Sequence, residues 1–192
     1  PRDRFLLAAR DSALLRRFGV PAPSFEGFLR PETYLFAHGV TAETVLIELA
    51  KTFQDDWDPA WDQSAAAQGL DRLAVVTLAS LVEGEAQVDE DRPLVAAVYR
   101  TRLRIGMPLQ ADPTVQYAIQ IATGARKSRL FDRDYQFPSP FNTYLRSGLP
   151  PGPVGAPSRK SIQAVLAPAQ VPYLYFVAGP GGKHVFSRTY GE

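Results

Sequence analysis

The feature that most constrains this chain is the stretch 70–87, apolar on almost every side and yet ending in two carboxylates. It carries Leu73, Val75, Val76, Leu78, Ala79, Leu81 and Val82, then Glu83, Gly84, Glu85 and Ala86. A helix without a polar face has to be buried on all sides, so the rest of the chain must be arranged around it. Burying an ionised carboxylate is costly, and a pair at the end of such a helix needs a partner or a use. At 3.6 residues per turn Ala74, Leu78, Leu81 and Glu85 share one stripe, and Val76, Ala79, Ser80 and Glu83 another. Glu85 extends the more apolar stripe. Desolvation there raises a carboxyl pKa and keeps the group protonated near neutral pH, as a general acid requires. Gly84 costs about 1 kcal/mol of helix stability against Ala; a missing side chain at this point is expected to let a bulky ligand approach. The plain alternative is a helix that ends at Glu83 with both glutamates in water.

The remaining periodicity places other elements around this helix. Residues 4–17 read as one amphipathic helix, stopped by Gly19 and the prolines at 21 and 23. Residues 24–36 are aromatic and broken by Pro31, which predicts short strands or an extended segment. Thr41 caps a helix to about Phe53, and Asp58-Pro59 opens a short one ending near Gly69. Further helices are expected from about Asp91 to Arg104, from Asp112-Pro113 to Ile121, and from Ser158 to Leu166. Residues 123–160 are rich in Pro, Gly, Ser and Arg, a long irregular region of the kind that usually serves function. The runs 173–178 and 183–188 read as strands of a hairpin closed by Gly179-Pro180-Gly181-Gly182. The class expected is α+β, mainly helical, with short β-strands and a C-terminal β-hairpin.

Composition narrows the function. Lys+Arg is 21 and Asp+Glu 20, a net charge of +1, so no basic excess supports nucleic-acid binding. There are no cysteines, which excludes disulfides, thiolate nucleophiles and Cys-based zinc sites. His38 and His184 are far apart, and no His-Glu-x-x-His run exists, so no metal and no cofactor is expected. No nucleophile elbow or phosphate loop occurs; the Gly-Gly-Lys stretch at 181–183 lies between strand-like runs and reads as a turn. No run of ~18 apolar residues exists. A start at Pro1, with Met107 the only methionine, reads as a piece of a longer protein, any membrane anchor or export signal lying elsewhere.

Other residues are candidates for holding a ligand. Asp112 is either a second carboxylate or the cap of the helix that Pro113 starts. Gln110 and Gln116 are neutral hydrogen-bonding groups suited to hydroxyl and acetamido groups. Asn142 and Tyr144 stand before a proline-stiffened stretch, 148–153, that reads as a groove wall or a surface linker. Arg100, Arg102 and Arg104 read as a solvated basic face.

Together these segments resemble the YceG-like (MltG) endolytic murein transglycosylases. Residues 25–34 resemble that family's "EGYLFPDTY" signature, 79–86 its "ASIVEKEA" helix and 102–115 its "RLRIGMPLQSDPTV" run. Residues 142–144 with 148–153 resemble "YNTY…GLPPGPI", and 173–178 with 184–186 the terminal "YLYFVA…HxF". The likeness runs from about Ser24 to the end, which sets residues 24–192 as the catalytic domain and 1–23 as a helix and linker from a preceding region. Gly84 departs from the family's Lys or Arg, and Arg30 from its Phe.

The resemblance implies a lysozyme-like catalytic core, and a bacterial enzyme held in the cytoplasmic membrane by a single N-terminal helix absent from this sequence, acting on the extracytoplasmic side. It implies cleavage within peptidoglycan glycan strands between N-acetylmuramic acid and N-acetylglucosamine, leaving 1,6-anhydro-muramyl ends. Work beside penicillin-binding proteins and the elongation machinery is implied too. Ordinary glycosidases need two carboxylates, whereas a transglycosylase can use one acid and the sugar's own tethered nucleophile. Glu85 is favoured as acid/base and Glu83 is its rival; Gln110, Asp112, Thr114, Asn142 and Tyr144 are expected to position sugar. A hydrolytic muramidase and a non-catalytic glycan-binding scaffold are the competing readings. Product mass separates the first from elimination, and glycan binding without cleavage would favour the second.

Overall fold

The computed structural model describes residues 2–191, with Pro1 and Glu192 outside the described residues. Its helices are α1 (Arg2–Ala8), α2 (Ser12–Arg17), α3 (Ala42–Asp56), α4 (Pro59–Ala67), α5 (Arg72–Glu85), α6 (Arg92–Arg104), α7 (Asp112–Thr123) and α8 (Arg159–Leu166). A two-stranded antiparallel sheet, β1 (Tyr175–Ala178) and β2 (His184–Ser187), pairs Phe176 with Phe186 and Val177 with Val185. The architecture is α+β with helices in the majority, and its hairpin is C-terminal, in line with the sequence.

The helix without a polar face is the axis of the fold. Val75, Val76, Leu78, Ala79, Leu81 and Val82 on α5 are fully buried. They are covered by α4, α6, α7 and α8. The five Val and Leu side chains among these contribute about 1.5–3 kcal/mol each on leaving water, before entropy is counted, which is why one helix dictates where four others lie. Asp71 caps α5 by accepting from Ala74 N at 2.7 Å, as Thr41, Asp58 and Ser158 cap α3, α4 and α8. No single helix among the described residues is long and apolar enough to cross a membrane; α4 and α5 reach that composition only as a pair bent by 91°.

Two local expectations need correction. Residues 4–17 form two helices, because Asp11 breaks the run and caps α2, accepting from Ala13 N and Leu14 N at 2.7 and 3.0 Å. Residues 24–36 contain no strand; the segment runs as turns, bends and irregular backbone. Phe25 and Phe28 enter the core there, and Gly27, at φ +81°, lies against Pro153. Arg30, buried, sets Nε 2.6 Å from Asp56 Oδ2 and ties this segment to the end of α3. Residues 2–17 are joined to the rest: α1 packs on α3, Leu14 and Leu15 are buried, and Phe25 N donates to Ala9 O.

Candidate active site

The last turn of α5 presents its two glutamates to different neighbours. Glu83 faces the start of α6 and the N-terminus of α8. Its Oε2 accepts from Arg92 Nη1 at 3.0 Å, Ser158 N at 2.9 Å, Ser158 Oγ at 2.5 Å and Ser161 Oγ at 2.7 Å. Arg92 also donates to Ser161 Oγ at 2.6 Å. Burial pushes the Glu83 carboxyl up, but the Ser158 and Ser161 hydroxyls, the Ser158 N–H and Arg92 outweigh it and hold the pKa below the ordinary value. Glu83 is therefore an ionised tie between three helices.

Glu85 faces the other way. Its carboxyl sits among protein groups although the residue as a whole keeps some solvent access. Among the described residues, the one side chain that hydrogen-bonds it is Tyr99 of α6, whose hydroxyl donates to Oε1 at 3.0 Å. Burial raises the Glu85 pKa most, and repulsion from Asp112 adds to it; Tyr99, the Asp112 N–H and Arg102 pull the other way. The result is a carboxyl pushed up to about 7. A general acid working near neutral pH needs that value.

Asp112 is brought beside Glu85 by a close helix crossing. A Cβ on Gly84 would lie 2.5 Å from Pro113 Cγ. Gly84 thus makes room for the first turn of α7, not for a ligand, which corrects the sequence expectation. Asp112 does not cap its helix with its side chain. Instead it accepts from the Tyr144 hydroxyl at 2.6 Å, and after burial its charge helps to raise the Tyr135 phenol pKa. The Tyr135 and Tyr144 rings lie 4.5 Å apart.

The structure divides the other sequence candidates. Gln110 is exposed, held at φ +53°, with its side chain 3.4 Å from Arg102 Nη1. Thr114 is fully buried, donating to Ala111 O at 2.6 Å and meeting Thr143 Oγ1 at 2.9 Å. Asn142 is fully buried too: Nδ2 donates to Tyr135 O and Phe137 O, and Oδ1 accepts from Tyr144 N. Thr114 and Asn142 therefore stand behind the site, and no polar atom of theirs is free to meet a sugar. Asn142 clamps the 3₁₀ turn Asp132–Gln136 to the Tyr144 loop, and in this way sets the spacing of the two tyrosines.

Arg102 is the largest departure from the solvated basic face. It is buried, and its guanidinium donates to Leu174 O and Leu109 O at 2.8 Å each, with its carbon 5.3 Å from the Tyr175 ring centre. Arg100 donates to Gln68 O and stays partly accessible. Tyr99, Arg92, Ser158 and Ser161 were not legible as site residues, because each reaches its glutamate from another helix. Tyr99 and Arg102 are three apart on α6 and share a face, which was the one available signal.

Two broad surface concavities lie elsewhere. One is between α1 and the start of α3, around Phe5 and Val40; the other is on the α6 face carrying Arg100 and Arg104. Neither includes Glu85. Of the residues that interact electrostatically with the Glu85 carboxyl, Asp112 and Tyr144 keep partial solvent access. A single acid held protonated near neutral pH can donate a proton to a bound polar ligand and take one back.

Comparison with known proteins bears on what that ligand is. The model of the YceG-like family matches residues 5–192. The chain is 36% identical over 167 residues to an endolytic murein transglycosylase of Bacillus subtilis (strain 168), covering 87% of this chain and 45% of that protein. It is also 36% identical over 155 residues to one of Streptococcus pneumoniae serotype 2 (strain D39 / NCTC 7466), covering 80% of this chain and 28% of that protein. The crystal structure of a YceG-like protein from Listeria monocytogenes matches with a TM-score of 0.87 at 32% identity, covering 98% of this chain and 65% of that one. The chain spans less than half the length of the curated relatives it matches.

Proposed function

The chain belongs to the YceG-like family, and on that footing we propose that it is the catalytic part of an endolytic murein transglycosylase, with Glu85 as its acid/base. The substrate class is the peptidoglycan glycan strand, cut internally between N-acetylmuramic acid and N-acetylglucosamine. The observation that carries the reading is the partly accessible Glu85, whose carboxyl is pushed up to about 7 beside the Asp112 carboxylate, itself held by the Tyr144 hydroxyl.

The chemistry follows from that carboxyl. Glu85 gives its proton to the glycosidic oxygen, and the bond from that oxygen to the muramyl C1 breaks. The muramyl 6-hydroxyl, tethered to the same ring, bonds to C1, and its proton passes to the Glu85 carboxylate. Atoms balance without water, and the acid is restored in one cycle. A tethered nucleophile avoids the entropy cost of recruiting a second molecule. Glu83 has no part in proton transfer, since four donors keep it ionised. Gln110, Asp112 and Tyr144 meet the sugar, whereas Thr114 and Asn142 act by shaping the loop.

Two finer expectations belong to the same proposal: action on the outer side of the cytoplasmic membrane by a protein with a single anchoring helix, and work beside penicillin-binding proteins of the elongation machinery. The chain 24–192 forms the catalytic domain and 1–23 its connection to a preceding region. The second reading, a hydrolytic muramidase, is favoured by one observation, the Asp112 carboxylate beside Glu85. Mass spectrometry of purified, uncrosslinked glycan after digestion decides between them. Anhydro-muramyl ends are expected; ends heavier by one water would transfer the assignment to hydrolysis, and intact strands would end both.

A further inference from the structure

We infer that Tyr99 is a positioning residue for the acid: by donating to Oε1 of Glu85 it obliges the transferable proton to sit on Oε2. The inference rests on the transglycosylase reading for its catalytic meaning, but its geometry stands alone. Tyr99 has no solvent access, and its ring is held edge-on against Phe176 at 5.7 Å. Its hydroxyl donates to Glu85 Oε1 at 3.0 Å. A buried hydroxyl is seldom left unpaired.

The hydroxyl remains a donor throughout the cycle. Burial and the Glu85 carboxyl beside it push the Tyr99 phenol well above its ordinary pKa, so it does not give up its proton near neutrality. A protonated carboxyl has one O–H and one oxygen left to accept. With Oε1 already accepting, the acidic proton belongs on Oε2. When Glu85 gives that proton away, the same hydroxyl stabilises the carboxylate that remains.

The charged and titratable groups around Glu85 come from three sides. Tyr99 and Arg102 face it from α6, Asp112 from α7, and Tyr144, bonded to Asp112, from the loop that follows α7. Burial and the Asp112 carboxylate favour the acid form, whereas Tyr99, the Asp112 N–H and Arg102 favour the carboxylate. Tyr99 is the only one of these side chains that touches a named carboxyl oxygen. It therefore sets where the proton sits as well as how tightly it is held.

The test is Y99F, which removes only the hydroxyl, read two ways: titration of 13C-carboxyl-labelled glutamate by NMR, and the pH profile of glycan cleavage. The Glu85 midpoint is expected to rise by about one unit, since a bond to the charged form is lost. The alkaline limb of kcat should move with it, and kcat should fall at least ~10-fold with KM within about twofold, because orientation of the acid is what is lost. An unmoved midpoint and limb would overturn the inference, even if cleavage slowed. Should Y99F fold poorly, 3-fluorotyrosine at position 99 keeps ring and hydroxyl while strengthening the donor, and must lower the midpoint; a rise or no change overturns the inference. A shifted midpoint in a protein that cleaves no glycan would support the proton placement and remove the transglycosylase reading. Cleavage with an unmoved midpoint would do the reverse.

Discussion

Glu83 and Glu85 are separated by a single glycine on one helix, about 200° apart around its axis. Glu83 meets four donors on one oxygen, including a guanidinium, and is held as an anion. Glu85 meets one neutral hydroxyl and a neighbouring carboxylate, and holds a proton up to about pH 7. The same residue type thus serves as a structural tie in one place and a proton store in the other. What separates them is the helix face, because the faces look toward different neighbours.

The largest effect that would break this comparison is E85Q. It removes the transferable proton and keeps the shape, so glycan cleavage should fall by about 10²–10⁴-fold, the usual worth of a general acid. Stability should move the opposite way. The folded protein holds the Glu85 proton that the unfolded chain releases near pH 4.5, so wild-type stability declines as pH rises from about 4.5 through about 7. At pH 8 E85Q should therefore melt several degrees higher than wild type, and at pH 4 the two should melt together. An active E85Q, or one that is less stable at pH 8, would dissolve the distinction.

E83Q should do the converse. Removing the charge leaves the largely buried Arg92 without its main partner, a cost of about 3 kcal/mol, or a melting temperature lower by roughly 6–12 °C. Glu83 is held below the ordinary carboxylate pKa, so its contribution is present above about pH 4.5 and is lost as pH falls through its folded value. Melting curves across pH 3–7 should show the E83Q deficit shrinking on the acid side. Residual E83Q that remains folded should cleave glycan at a rate within a few-fold of wild type.

D112N sharpens the Glu85 half of the comparison. It removes the neighbouring negative charge and keeps the Tyr144 bond, so the Glu85 carboxyl should titrate lower and the alkaline limb of cleavage should move to lower pH by roughly one unit. The pH profile of initial rates checks this, and a limb that stays put would show that desolvation alone sets the value. G84A is the smallest perturbation. Its methyl meets Pro113, so α7 must shift, at a cost of about 1–3 kcal/mol. The melting temperature reads it.

Much of this contrast was legible in the sequence. The stripe through Ala74, Leu78 and Leu81 placed Glu85 on the more apolar side of α5 before any neighbour was known. The reason for Gly84 was not legible, since Pro113 reaches it from another helix. Glu83's fate was hidden for the same reason: Ser158 and Ser161 lie more than seventy positions away. The family resemblance leads one to expect Asn142 and Thr114 to position sugar, yet their hydrogen bonds are used within the protein. Arg102 reads as surface charge by composition, and only the carbonyls of Leu109 and Leu174 reveal it as buried. Helix periodicity reports which face a residue is on, and says nothing of what will be opposite.

The most direct measurement is the site-resolved titration of the two carboxyls in the unmodified protein, by NMR of 13C-labelled glutamate with E83Q and E85Q used to assign the signals. A Glu85 midpoint near 7 together with a Glu83 midpoint below 4.5 is the result expected. Two midpoints close to the ordinary value of 4.5, or the reverse order, would contradict the account at its root.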